Sequence, residues 1–318
     1  MKKILLAAVA ALAIVGCTQN EEIENVGNKA EIKVGTVVKT GTRAVVTNND
    51  NFKAFTLKAY TVKVGDIATS GVGTAYMSAD YTGGKGKWET NSGTFYWPVK
   101  EEMHFFAYPT TEPAMTYTAA ATGYPTLSFT VGATAEAQKD LVVAYATVSD
   151  KPANNTLSLD FKHILTRINF SYKLEKEGYK CDITGIMINK VSGGTATYTF
   201  GASENPWSAG DDTEVNYTYP LGSNAVVDGF YPLDGTDGSL VLLPQDVAGK
   251  TITITYSTSD DNHTYFDGTK TVTLPAGAKW GVGQNIRYKL TLPIGAEEVK
   301  VETNVEDINE TPNSGTAN

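Results

Sequence analysis

The sequence has few of the residues that carry most enzyme chemistry. Among 318 residues there are three histidines and two cysteines, Cys17 and Cys181. His104, His163 and His263 lie far apart and form no H-E-x-x-H pair, and no C-x-x-C or other closed zinc pattern is present. A G-x-S-x-G elbow is also missing. Gly249-Lys250-Thr251 looks like the end of a P-loop, but Pro244 stands where the motif needs its first glycine. No catalytic residue, metal site or cofactor is expected, and the chain does not read as an enzyme. Positive charge is scarce as well: Lys+Arg 26 against Asp+Glu 35 gives −9, which argues against nucleic acid and anionic headgroups as partners. Long apolar runs are absent too. The leading one, Ile4 to Val15, has twelve residues, short of the roughly 20 that a membrane-spanning helix requires.

That run, preceded by Lys2 and Lys3, reads as a signal peptide over residues 1–16 and is set aside from the fold. Its end, Ile14-Val15-Gly16-Cys17, resembles the bacterial lipobox, in which Cys17 becomes the lipidated first residue of the mature chain. No disulfide to Cys181 is expected, because Cys17 belongs to the leader region. Losing Lys2 and Lys3 takes the formal charge from −9 to −11. Thr18 to Asn28, polar and containing three glutamates, suits a solvated tether.

From about residue 30 to 295 the chain is strand after strand. Gly and Tyr are abundant, and apolar residues alternate with polar ones. Ile32, Val34 and Val38 alternate, as do Leu127, Phe129 and Val131, then Ile252, Ile254 and Tyr256, and finally Ile286, Tyr288, Leu290 and Leu292. Period two with polar partners marks strands that bury one face. Turn clusters such as Gly83-Gly84-Lys85-Gly86 and Ser259-Asp260-Asp261-Asn262 separate them, which predicts an all-β protein built of β-sandwiches. Thr134–Asp140 is the only helix-like stretch. In LSLDFKHILTRINFSYKL, residues 157–174, the apolar parity changes between Leu165 and Ile168, which demands a bulge or a passage between packed layers. A domain boundary is placed after it, at Glu175–Gly178, with Ser149–Pro152 as a second candidate.

The remaining polar candidates read as structural. His163, in phase with Phe161 and Leu165, is expected as a hydrogen-bonded core histidine, and Cys181 as a small buried hydrophobe. Asp260-Asp261 and Asp211-Asp212 read as solvated turns, with weak calcium binding as the alternative. Trp88, Trp97, Trp207 and Trp280 are expected in the core, with sugar stacking open to any that are exposed.

Arginine is informative because it is rare. Of the three, Arg167 and Arg287 sit inside strong strand patterns, whereas Arg43 lies in the short stretch Thr40-Gly41-Thr42-Arg43-Ala44 after the strand candidate Glu31–Lys39. Proteolytic nicking concentrates at exposed loop tips. An arginine-specific protease acting on the folded protein would therefore have one favourable site, between Arg43 and Ala44, the alternative being an ordinary loop arginine.

Several segments in order, FYWPVKEEMHFFAYPT (95–110), AQKDLVVAYA (137–146), LDFKHILTRINF (159–170), LVLLPQ (240–245) and KWGVGQNIRYKLTL (279–292), resemble the Mfa-like/fimbrillin family of Bacteroidales over most of residues 30–295. The resemblance implies two tandem transthyretin-like β-sandwich domains. Residues 17–29 would then be the tether, 30–175 the N-terminal and 176–305 the C-terminal sandwich, and 306–318 a disordered tail. It further implies a lipoprotein carried to the outer membrane and cell surface. There it would serve as a stalk, anchor or tip subunit of a type V pilus, a fimbria whose other subunits are its partners. In that family a protease removes the first strand, and a strand of the next subunit fills the groove. Glu298–Val305 alternates as a donor or final edge strand should. The competing expectation is a monomeric surface lipoprotein that binds glycans through exposed aromatics such as Trp88 or Trp207.

Overall fold

The computed structural model describes residues 30–38, 47–99, 101–110, 115–202, 205–209, 213–223, 225–234 and 238–309. Its strands come in chain order as β1 (Lys33–Val38), β2 (Ala54–Thr61), β3 (Met77–Gly84), β4 (Lys87–Thr90), β5 (Met103–Pro109), β6 (Met115–Thr118) and β7 (Thr126–Thr130). They continue as β8 (Val142–Val148), β9 (Thr156–His163), β10 (Thr166–Leu174), β11 (Lys180–Ser192), β12 (Thr195–Thr199), β13 (Trp207–Ala209) and β14 (Glu214–Thr218). The last are β15 (Tyr231–Pro232), β16 (Leu240–Leu242), β17 (Gln245–Asp246), β18 (Thr251–Ser259), β19 (Thr264–Thr273), β20 (Lys279–Trp280), β21 (Gln284–Leu292) and β22 (Lys300–Asp307).

A seven-stranded sheet runs β1-β9-β8-β5-β2-β3-β4. Its central strand β5, sequence MHFFAYP, is buried on both faces, so Phe105 and Phe106 serve two different cores. Phe105 joins Phe52, Phe55, Leu57, Trp97, Leu159 and Phe161. The sheet curls until its two edges meet, and the Trp88 indole N–H on β4 donates to the Thr36 hydroxyl on β1 at 2.7 Å. Phe106 packs on the other side, T-shaped against Phe200. That side is covered by the sheet β13-β12-β7-β6, in which Thr130 of β7 is paired with Thr195 of β12. The second half of the chain adds the sheets β15-β10-β21-β22, with β16 on β10, and β14-β11-β18-β19. Ile168, Ile252, Ile254, Tyr288 and Leu290 fill the core of that half. The architecture is all-β sandwich.

The parity change in residues 157–174 is a passage between layers: β9 ends at His163 in the first sheet, and β10 starts at Thr166 beside β21. Thr134–Asp140, the only stretch expected to be helix-like, does carry a helical turn, but it is not the only one. That stretch holds one 3-10 turn, Ala135–Ala137, while a seven-residue helix α1 forms at Val64–Ser70. At that length α1 is too short to show a helical period in the sequence. It is held by Ile67, which is wholly buried, and by Gly71, whose φ of +60° closes the helix with an N–H donated to the Ile67 carbonyl. The tail was expected to be disordered over residues 306–318; this is corrected for residues 306–309, and 310–318 lie outside the described residues. β22 runs to Asp307, and Ile308 is buried.

Candidate functional site

β1 is an edge strand in a parallel ladder with β9, in register from Lys33↔Thr156 to Val38↔Phe161. Its alternation turns Ile32 and Val38 into the core, at 5% and 2% exposure, while Val37 stands half exposed. Burying two such side chains stabilises the strand by about 3–6 kcal/mol. Few other bonds hold it. Before β1, Ile32 N–H donates to the Phe95 carbonyl and Trp97 N–H to that of Ala30. At its end, Val38 N–H donates to Asn49 Oδ1 at 3.0 Å. Taking β1 away would free the outer edge of β9 and open the cluster around Phe52 and Phe161. An unpaired edge beside an apolar seat is a template for an added strand.

Thr47 docks on Asp140: its N–H donates to Oδ2 at 2.8 Å and its hydroxyl to the Asp140 carbonyl at 3.2 Å. The same carboxylate holds the Nδ1 of buried His163 at 2.9 Å. His163 is thus a hydrogen-bonded core histidine at the end of β9. The C-terminal strand meets it there. β22 pairs antiparallel with β21 from Gln284↔Asp307 to Thr291↔Lys300 and forms the sheet's edge, with most of its side chains exposed. Beyond it Ile308 N–H donates to the Gly283 carbonyl, and Asn309 bonds the His163 backbone. Gly283 has φ +66°, and a Cβ there would run into the Asn309 side chain. Thr47 and Asn309 therefore converge on the Asp140–His163 pair. No sequence spacing signals this, because the partners are up to 146 residues apart.

Cys17, Arg43 and Ala44 lie outside the described residues. The other two arginines are sequestered. Arg167 is 5% exposed and donates through Nε to Ser239 Oγ, and Arg287 makes a bidentate pair with Asp234 at 2.7 and 3.0 Å. Among the described residues no group of three or more His, Cys, Asp or Glu is placed to hold a metal. Asp260 turns its Oδ1 to the N–H groups of Asn262 and His263, as a solvated turn does, while Asp211 and Asp212 lie outside the described residues. Cys181 is half-buried, and burial, with Asp182 adding to it, pushes its thiol up to about 12. Trp97 and Trp280 are buried, Trp88 packs edge-on to Phe55, and Trp207 is half-buried.

A family model described as fimbrillin-like matches residues 39–307. The chain belongs to the fimbrillin-like family. A fimbrillin-like protein is a structural subunit, not an enzyme; its place is a cell-surface fimbria and its partners are other pilus subunits. The fold is similar to that of a fimbrial protein from Bacteroides vulgatus, at 19% identity and a TM-score of 0.64, over 86% of this chain and 99% of that one. It is also similar to a protein described as a cell adhesion protein from Bacteroides uniformis, at 17% identity and a TM-score of 0.55, over 90% of this chain and 100% of that one. A third such protein, from Bacteroides ovatus, is 13% identical with a TM-score of 0.53, over 88% and 98% of the two chains. No curated protein matches the sequence.

Proposed function

We propose that this fimbrillin-like subunit is exported as an outer-membrane lipoprotein through Cys17 and matures by a cut between Arg43 and Ala44. An arginine-specific protease makes the cut. β1 then leaves, and a strand from a neighbouring subunit takes its place beside β9. The observation that carries this reading is the seating of β1. It is an edge strand, paired through one ladder only, and its buried side chains cover an apolar cluster the rest of the fold has already built. An incoming strand that supplies the same alternation recovers the ladder hydrogen bonds and the pocket contacts together. The burial of Arg167 and the placement of Arg287 inside β21, in a bidentate pair with Asp234, support a single cut, since a protease working on the folded body needs an accessible, extensible segment. In this reading Cys17 is a transit device, because the cut separates the folded body from the lipid.

The test is polymerisation after treatment with an arginine-specific protease. Wild-type protein should give oligomers and filaments in the electron microscope, and Arg43→Ala should remain monomeric. If Arg43→Ala polymerises as well as wild type, the cleavage step is wrong.

A further inference from the structure

A cleft of about 800 Å³ opens where the β12–β13 hairpin faces β9 and the β17–β20 ribbon. That volume suits a small ligand or a few sugar rings. Its two walls have the same chemistry. On β9, Phe161 and His163 point into the core, so Asp160 and Lys162 stand outward on the cleft side. On the ribbon, Asp246 and Lys279 are direct ladder partners, both exposed. Each wall thus carries one carboxylate and one ammonium, and the four charges cancel.

Between the walls lie aromatic rings, of which Trp207 and Tyr145 have their polar atoms engaged elsewhere. Trp207 gives its indole N–H to the Ile164 carbonyl at 2.6 Å, so it offers the cleft carbon surface. Tyr198, its cross-strand partner, stands T-shaped to it at 5.4 Å. The Tyr145 hydroxyl is bonded to His104 Nδ1 at 2.9 Å and takes the Thr147 hydroxyl at 3.0 Å. Burial pushes both phenols up to about 12, so they stay neutral.

A ligand that fits must have an apolar face for the rings and an edge rich in donors and acceptors for the carboxylates and ammoniums. The balanced walls attract neither a strong anion nor a strong cation. Neutral pyranose rings have this combination, with C–H groups on their faces and hydroxyls around their edges. We infer that the cleft is a binding site for a neutral oligosaccharide. The cleft borders the β1 seat, since Asp160 is the ladder partner of Val37, but no residue of β1 lines it.

The experiment is calorimetric and saturation-transfer binding with the purified full chain. The probes are neutral oligosaccharides of hexose and N-acetylhexosamine units, with sialylated and sulfated sugars as comparison. At least one neutral sugar should bind saturably. Asp160→Ala and Lys279→Ala, both at exposed positions, should each weaken it about tenfold or more with an unchanged melting temperature. Lys180→Ala, outside the cleft, should leave binding as it was. The proposal is overturned if no neutral sugar binds at about 10 mM. Binding that ignores both cleft variants, or a preference for the acidic sugars, overturns it as well. So does capture of a peptide in the cleft that the neutral sugars do not displace.

Discussion

Asn309 grips His163 at both backbone polar groups: its Oδ1 accepts the His163 N–H at 2.8 Å, and its Nδ2 donates to the His163 carbonyl at 3.0 Å. One side chain thereby closes the C-terminal strand onto the point where the chain leaves one sheet for another. Asp140 holds the same histidine through its ring and also holds Thr47. Asn309→Ala removes both clamps and leaves two backbone groups of a buried residue without that partner, a cost of about 1–3 kcal/mol. β22 amides should then exchange faster with solvent, while those of β5 keep their protection. Hydrogen exchange followed by mass spectrometry distinguishes this local release from global destabilisation.

The seat of β1 makes a second prediction. Ile32→Ala should lower stability by about 2–5 kcal/mol and raise exchange across Lys33–Val38 more than across β2 or β5. A trimmed chain starting at Ala44 should bind a synthetic peptide of residues 30–39 and regain the lost protection. A peptide with Ile32 and Val38 both changed to Asp should not bind, because it would place two unpaired carboxylates in the apolar cluster.

Arg287 and Asp234 form a bidentate pair in which the aspartate side chain is 3% exposed. Removing one partner takes from the other its bidentate ion pair, so Arg287→Ala or Asp234→Ala should each cost about 3–5 kcal/mol. The double variant should cost less than the sum. Urea denaturation of the two singles and the double measures the coupling directly.

The Cys181 thiol sits at about 12 against an ordinary value of 9.0, because burial disfavours the thiolate. At pH 8 the native protein should carry much less thiolate than the unfolded chain. Labelling by a thiol reagent should be correspondingly slow until urea is added. The fold favours the protonated form, so the associated stability is full below the unfolded value. It is lost as pH rises from about 9 through about 12. Tyr198, pushed up to about 12 by burial, acts in the same direction from its ordinary 10.0. Thermal unfolding between pH 8 and pH 11 should therefore show a falling melting temperature.

Period-two alternation alone located β1, β7, β18 and β21, and the parity change around Leu165 marked the step between layers, because each is a property of a few consecutive residues. Family membership was legible for a related reason: it rests on ordered short segments such as LDFKHILTRINF. The core role of His163 followed from its parity. Its partners Asp140 and Asn309 did not, since hydrogen bonds between distant segments leave no spacing in the chain. α1 escaped because seven residues are too few for a helical period. The order of β22 through Asp307 escaped because its acidic, exposed face resembles a solvated tail. The sequence by itself determined, for the strands that alternate, which residues form them and which face they bury; β5, buried on both faces, shows no such alternation. Only the tertiary structure decided which strands are neighbours and which distant residues meet: β1 on β9, β7 on β12, and Thr47 and Asn309 on the Asp140–His163 pair. Alternation is local, whereas pairing depends on loop closure and on side chains fitting a shared core.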